Sequence, residues 1–388
     1  MSETLQLTQP VPLSPELGER LGEKPFTLQT PQEFRDDFVA SASLATEQVG
    51  LETMQFEVCE DTQPIYDAIT QAKERGVEDV RFHYDRVALR HLRVGEDQAF
   101  VFLGRTVLHR GDKAALKEAN AERVQLVNNL EAQQITDPSN RKRGRNHHMS
   151  HNHAKLAIID DSAWFGTMNF RAMDFDISNF MVKVTDPQWV DTLKGIFEQT
   201  ETTDPQEDEV FAKYDEAGRE ETALLLDAGT KDKSVIYEKA LQMADSLQEG
   251  DEFVMISQWP PVKTMYGAFA EKLSAKTKAG AKGTYLMSPE DRLHPSRRAS
   301  RMLQTQVKKM EQLDPNMKAV NLARMTHAKA FMIKRANGER EVLFGSHNLS
   351  SWTVHNGTRE LAMWSKDPMI VDQIASFLEG VQSEKSNE

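Results

Sequence analysis

The sequence predicts an α/β protein built from two similar α/β/α sandwich halves, packed pseudo-symmetrically around one shared site. Three observations support this. The residues His153, Lys155 and Gly166-Thr167-Met168-Asn169 return later as His327, Lys329 and Gly345-Ser346-His347-Asn348. A matching order of strands and helices precedes each copy. An acidic stretch rich in Glu, Thr and Asp divides the 388 residues near their middle, as a linker would.

Residues 1–33 are rich in Pro, Thr, Gln and Glu without periodicity and predict an N-terminal arm. The first half is expected over 34–198. It opens with a helix over 34–48, a strand over 53–58, a helix over 63–75 and a strand over 79–83. After the linker at 199–221, the second half (222–381) repeats the order with a helix at 234–247, a strand at 252–257, a helix at 263–278 and a strand at 283–287. Strand, helix, strand in succession implies parallel pairing through a crossover. A further helix is expected before each motif, at 113–133 and 296–313. Residues 382–388 form a polar tail.

Each motif reads as a β-hairpin. The apolar runs 155–159 and 329–333 suit short buried strands, and turn residues follow both: Asp160-Asp161-Ser162 and Ala336-Asn337-Gly338. The histidine-to-glycine spacing is 13 residues in one copy and 18 in the other, and the extra five are expected in the second turn, where insertion costs least. A third strand (177–184; 360–364) and a helix after Asp186-Pro187 or Asp367-Pro368 close each half.

Composition narrows the classes of function. The net charge of -13 disfavours wrapping of a long polyanion, so nucleic acid is the weaker expectation. No apolar run approaches a membrane span, and the first twenty residues lack the basic and apolar regions of a signal peptide. Cys59 is the single cysteine. No intrachain disulfide can form, and a cytoplasmic protein is expected. Two basic clusters, Arg141 to Arg145 and Arg292 to Arg301, lie upstream of the motifs, and from them Arg145 and Arg298 are candidates for phosphate contact.

On a strand alternate residues share a face, which aligns His153 with Lys155 and His327 with Lys329. Asp160 lies at odd spacing from both and should point elsewhere. Gly166 and Gly345 would let the backbone approach a ligand, and Thr167, Asn169, Ser346 and Asn348 could donate to phosphate oxygens. Two lysines, two amides and two hydroxyls around one phosphorus would stabilise a pentacoordinate transition state. One neutral imidazole could attack phosphorus while the other, protonated, releases an alkoxide. Each histidine also needs an acceptor on its second ring nitrogen. Counting back seven residues from the Asp-Pro pairs reaches Glu360 as the expected partner of His327 and Asn179 as that of His153, with Asp176 a second candidate. The cluster His147, His148, His151 and His153 raises zinc binding as a rival. No cysteine or carboxylate is interleaved to complete such a site, so neither metal nor cofactor is called for.

These residues resemble the phospholipase D superfamily, whose signature is HxKx4D followed by GSxN. His153, Lys155, Asp160, Gly166 and Asn169 fit it, with Thr167 in place of Ser; His327, Lys329, Gly345, Ser346 and Asn348 fit the second copy, where Lys334 replaces the aspartate. Loss of that carboxylate is expected to weaken hairpin anchoring more than chemistry. The run from Phe344 to Asn348 with Gly357-Thr358-Arg359-Glu360 looks most like the phosphatidylserine, phosphatidylglycerophosphate and cardiolipin synthase group. The resemblance implies a metal-independent phosphodiesterase or phosphatidyltransferase, with His153 as nucleophile and His327 as acid and base, while the carboxylate expected on His327 is equally compatible with the reverse. An anionic phospholipid or another phosphodiester is the implied substrate, with peripheral membrane contact. A nuclease, or a lipid-binding relative without turnover, is the alternative. Both motifs lie in one chain, so a monomer is expected.

Overall fold

The computed structural model describes residues 24–57, 59–85, 91–94, 97–102, 105–110, 136–138, 152–200, 207–257, 267–289, 304–309, 311–312 and 314–384, together with Ala114 and Ala121. The first half runs β1 (Phe26–Gln29), α1 (Pro31–Leu44), β2 (Gln48–Thr53), α2 (Gln63–Arg75), β3 (Asp79–Tyr84), then three short strands β4 (His91–Val94), β5 (Asp97–Phe102) and β6 (Arg105–Arg110). It continues with β7 (Thr136–Pro138), β8 (Leu156–Ile159), β9 (Ser162–Gly166), α3 (Ala172–Asp176), β10 (Met181–Val184) and α4 (Pro187–Gln199). The second half runs β11 (Glu209–Tyr214), β12 (Glu220–Ala228), α5 (Val235–Ser246), β13 (Glu252–Ser257), α6 (Ala268–Lys278), β14 (Lys282–Met287) and β15 (Met317–Asn321). β16 (Ala330–Lys334), β17 (Arg340–Gly345), α7 (Ser351–Asn356), β18 (Arg359–Ser365) and α8 (Pro368–Ser383) complete it.

The two large sheets repeat one topology. The first is ordered β1-β10-β9-β8-β2-β3-β7 and the second β11-β12-β18-β17-β16-β13-β14-β15. Strand for strand they match, with β11 added at the edge. In both, the helix-connected strands pair in parallel (β2 with β3, β13 with β14) and the motif hairpin joins antiparallel. β4, β5 and β6 form a separate small sheet.

Local sequence explains the helix boundaries. Thr30 and Glu33 form a reciprocal capping box ahead of α1, and Phe34, Phe38 and Ala42 recur at helical spacing on its buried face. The Asp-Pro pairs act as read from the sequence: Asp186 accepts from the N–H groups of Gln188 and Trp189, and Asp367 from that of Met369, at the starts of α4 and α8.

Three apolar clusters make the layers. One face of the first sheet packs on α1 and α2, and the far face of the second on α5 and α6. Between the sheets, α4 and α8 share a single core with residues of both, in which the rings of Phe165 and Phe344 stack at a centroid distance of 5.8 Å. This central layer joins the halves. Among the described residues no helix is long and apolar enough to cross a membrane.

Several expectations are corrected. Residues 26–29 of the expected arm are a strand, paired with β10 and held by Gln373 of α8, whose side chain accepts from the Leu28 N–H and donates to the Phe26 carbonyl. Residues 209–214 of the expected linker are likewise a strand, on β12. The strand expected at 53–58 lies earlier, as β2. Its polar Gln48, Glu52 and Thr53 are buried, a burial that long-range partners provide and alternation does not reveal. β10 begins only at Met181: α3 ends at Asp176, and Ser178 pairs with Thr326 of the other half instead of extending the strand. Of the five extra residues in the second hairpin, three sit in the turn and two lengthen its strands by one each. The expected helix at 113–133 lies almost wholly outside the described residues; within 296–313, residues 304–309 and 311–312 are helical.

Candidate active site

The two histidines reach one place because each half holds the other's motif by the backbone. Two parallel bridges cross between the halves, Asn152 with Arg359 and Ser178 with Thr326. In the first the His153 N–H donates to the Arg359 carbonyl at 2.8 Å, and in the second the His327 N–H donates to the Ser178 carbonyl at 3.0 Å. The imidazoles consequently face each other nearly edge to face, with ring centroids 6.2 Å apart.

The same bridges decide the imidazole partners, and they cross. Glu360 follows Arg359, so its carboxylate falls beside His153, where Oε2 lies 2.9 Å from Nδ1. His327 Nδ1 is 2.8 Å from the Thr167 carbonyl oxygen, with Asp174 Oδ1 at 4.0 Å. The expected pairings of Glu360 with His327 and Asn179 with His153 are therefore corrected. Counting within one half finds the right carboxylate and the wrong histidine. Asp176 is exposed; the buried carboxylate of that turn is Asp174, gripped by Arg171 at 2.6 and 3.3 Å. Neither Arg171 nor Asp174 was singled out from sequence, since no repeat in the second half points to them.

The hydroxyls and glycines also act differently from expectation. Ser346 Oγ donates to Glu360 Oε2 at 2.5 Å, and Thr167 Oγ1 to Asn179 Oδ1 at 2.5 Å. They hold the residues at positions 360 and 179 instead of facing a ligand. A Cβ on Gly166 would meet the Phe180 carbonyl oxygen at 2.5 Å, and one on Gly345 the Leu361 carbonyl oxygen at 2.4 Å. The room these glycines leave is filled by the neighbouring strand.

His153, Lys155, His327, Lys329, Asn169 and Glu360 are all buried. Each lysine ammonium donates back to the carbonyl of its own histidine, Lys155 to His153 at 2.5 Å and Lys329 to His327 at 2.6 Å. The side-chain oxygens of Asn169 and Asn348 are shut off from solvent without a hydrogen-bond partner among the described residues, as in a polar site shaped for a further group. Burial pushes Lys155 down to about 7 against the pull of Glu360 and Asp174. Burial and then the neighbouring Lys155 hold Lys329 well below its ordinary range. His327 is also held well below its ordinary value, by burial and then by Lys329 and Lys155, while burial raises Glu360. Such an enclosure disfavours its own cations and would gain from a bound anion.

Asp160 behaves as its spacing predicts. It turns away from the site and accepts the N–H groups of Thr46, Glu47 and Gln48 at 3.0, 3.0 and 2.8 Å, tying the first hairpin to the start of β2. In the second half Lys334 stands at that position, and the expected loss of anchoring does not occur. Asp251, just before β13, accepts the Ala336 N–H at 2.9 Å and an Arg335 guanidinium N–H at 3.1 Å. The carboxylate has moved to the opposite side of the same junction.

Arg145, Arg298, the other arginines of the two basic clusters, and His147, His148 and His151 lie outside the described residues. Among the described residues no group of three or more His, Cys, Asp or Glu could hold a metal ion.

No protein-family model and no curated protein sequence matches the chain. Solved structures do. A phosphatidylserine synthase from Haemophilus influenzae is similar with a TM-score of 0.62 at 11% identity, over 94% of this chain and 86% of that one. A polyphosphate kinase from Porphyromonas gingivalis is similar with a TM-score of 0.53 at 14% identity, over 91% of this chain but only 50% of that one. The chain spans half the length of that kinase. Two matched sheets around a shared helical layer, with one histidine motif from each, constitute the phospholipase D-like fold, and this chain has it.

Proposed function

We infer that the protein cleaves or transfers a phosphodiester through a covalent phosphohistidine, with the headgroup phosphodiester of an anionic phospholipid as the substrate class. The observation that carries this reading is the pair of buried imidazoles 6.2 Å apart, each engaged at Nδ1 by an acceptor from the opposite half. An Nδ1–H held by the Glu360 carboxylate puts the lone pair of His153 on Nε2 and stabilises the cation formed when that atom bonds to phosphorus. His153 is accordingly the nucleophile.

In the first step His153 Nε2 bonds to phosphorus, the bond to the leaving alkoxide breaks, and the alkoxide takes its proton from His327. In the second, His327 accepts a proton from water or an alcohol, whose oxygen displaces Nε2 and regenerates the imidazole. Lys155, Lys329, Asn169 and Asn348 surround the phosphoryl oxygens and stabilise the charge that develops there. Burial first, and then the ammonium charges of Lys329 and Lys155, depress His327; a bound anion opposes that depression and favours the protonated ring needed as an acid. No metal or cofactor enters either step.

The net charge of -13 favours a small headgroup over a long nucleic acid. The likeness to a phosphatidylserine synthase across most of both chains supports a lipid substrate; since both motifs lie in one chain, we read the protein as a monomer that meets that lipid at a membrane surface from the cytoplasm. Anchoring by Asp251 removes the reason that Lys334 offered for an inactive lipid-binding relative. The test is parallel incubation with labelled phosphatidylglycerol, phosphatidylcholine and single-stranded DNA. Turnover of phosphatidylglycerol with a trapped phosphoenzyme that His153→Ala cannot form is expected. Cleavage of DNA alone would replace the lipid reading with a nuclease, and a phosphoenzyme in the alanine variant would exchange the roles of the histidines.

A further inference from the structure

His347 fills the variable position of the second Gly-Ser-x-Asn motif, where the first copy has Met168. Both side chains are buried. Methionine is an ordinary apolar filler there, whereas a buried imidazole calls for a polar reason.

That reason lies two residues on. His347 Nδ1 accepts the Leu349 N–H at 2.8 Å, and Leu349 has φ of 51°, in the left-handed region that a leucine rarely adopts. The first copy needs no such device. Its counterpart residue, Phe170, donates its N–H to the Gln55 carbonyl at 3.0 Å, and its own carbonyl accepts from the Glu57 N–H at 2.7 Å. There the turn after Asn169 is stitched to the segment following β2, and Phe170 is not among the residues of positive φ. Thus the chain leaves the two amides, Asn169 and Asn348, by different routes. One turn is held by main chain, the other by a side chain that imitates an Asx turn.

We propose that His347 is a positioning residue for Asn348, holding Leu349 in left-handed backbone through its Nδ1 and so setting the direction of the Asn348 amide. This rests on the reading of Asn348 as a phosphate contact. The imidazole must be neutral, with its hydrogen on Nε2, because a protonated ring has no acceptor to offer. Its surroundings favour that form: burial pushes it down to about 4, only partly opposed by Glu360, and Lys329 adds to the depression. Nε2 is buried, and the nearest carboxylate oxygen, Oδ2 of Asp227, is 3.7 Å away, beyond hydrogen-bond reach. Asp227 is itself occupied by the Ser234 hydroxyl and the Ile236 N–H.

Asparagine at 347 carries an acceptor the same number of bonds from Cα as Nδ1, so it can restore the turn; leucine cannot. The experiment compares His347→Leu, His347→Asn and Asn348→Ala on a chromogenic phosphodiester, with sulfate affinity measured alongside. His347→Leu should lose about 10–100-fold in kcat/KM and bind sulfate more weakly, His347→Asn should return to within a few-fold of the parent, and Asn348→Ala should lose at least as much as His347→Leu. If His347→Leu keeps the parent's kcat/KM while Asn348→Ala loses it, the positioning role is overturned. If Asn348→Ala also keeps it, the phosphate-contact reading falls first. Should His347→Leu fail to fold, amide hydrogen exchange at residue 349 decides: protection in both the parent and His347→Asn is expected, and rapid exchange in His347→Asn with unchanged activity overturns the proposal.

Discussion

Glu360 of the second half lies with Oε2 2.9 Å from Nδ1 of His153 in the first, and the same oxygen accepts the Ser346 hydroxyl at 2.5 Å. A carboxylate so placed orients one imidazole and leaves its twin to a backbone carbonyl. Replacing it tests the division of labour. Glu360→Gln keeps the shape and removes the charge, and should lower kcat by about 10²–10⁴-fold with little change in the melting temperature. Asn179→Ala, on the side of His327, should cost far less. Steady-state kinetics on both variants checks the asymmetry, and equal losses would contradict it.

Binding of an anion should draw protons into the site. Lys155 is held near 7 mainly by burial, so at about pH 8 it is largely neutral in the free protein, and a nearby anion raises its affinity for a proton. Sulfate has no titrating proton in this range. Calorimetry with sulfate in buffers of different ionisation enthalpy should therefore report net proton uptake above about pH 7, and affinity should weaken as pH rises further. Binding without uptake would mean that Lys155 is already charged.

The two hairpin anchors should be separable from chemistry. Burial by itself would raise the Asp160 carboxyl, but the N–H donors of Gln48, Thr46 and Glu47 outweigh it and hold the group below its ordinary value; Asp251 is depressed in the same way by Ala336, Gln248 and Arg335. Both folded-state values lie below the unfolded ones, so this stabilisation is fully present above the ordinary carboxylate range and is lost as pH falls below it through the depressed folded values. Asp160→Ala and Asp251→Ala should each cost about 1–3 kcal/mol in denaturant unfolding. The activity of the remaining folded protein should be nearly unchanged.

The buried pair of Arg359 and Glu52, 3.6 Å apart, sits where the halves meet. Glu52 also accepts from Asn152 and Thr200, and Arg359 donates to the Ile196 carbonyl. Removing one partner strands a buried charge. Arg359→Met should destabilise by about 3–5 kcal/mol, and adding Glu52→Gln should recover part of the loss. A double-mutant cycle by chemical unfolding measures the coupling.

Much of this protein is legible in its sequence. The repeated His-x-Lys and Gly-x-x-Asn phrases, the strand-helix-strand order of each half and the Asp-Pro caps are local patterns, and local patterns record which residues share a face or end a helix. Strand alternation gave the direction of Asp160, although the residue itself sits just past β8 in left-handed backbone. Other features are not written in spacing. The crossing of Glu360 to His153, the arrival of Asp174 near His327, the capture of the Thr167 and Ser346 hydroxyls and the move of the anchoring carboxylate to Asp251 all join residues far apart in the chain. The two that reach the histidines depend on the bridges of Asn152 with Arg359 and Ser178 with Thr326, and on the shared core of α4 and α8 that sets one sheet against the other; the hydroxyl captures and the Asp251 anchor form within one half, where strand pairing brings the partners together. A periodic sequence determines what each strand presents, but burial of that common apolar layer decides which strand it is presented to.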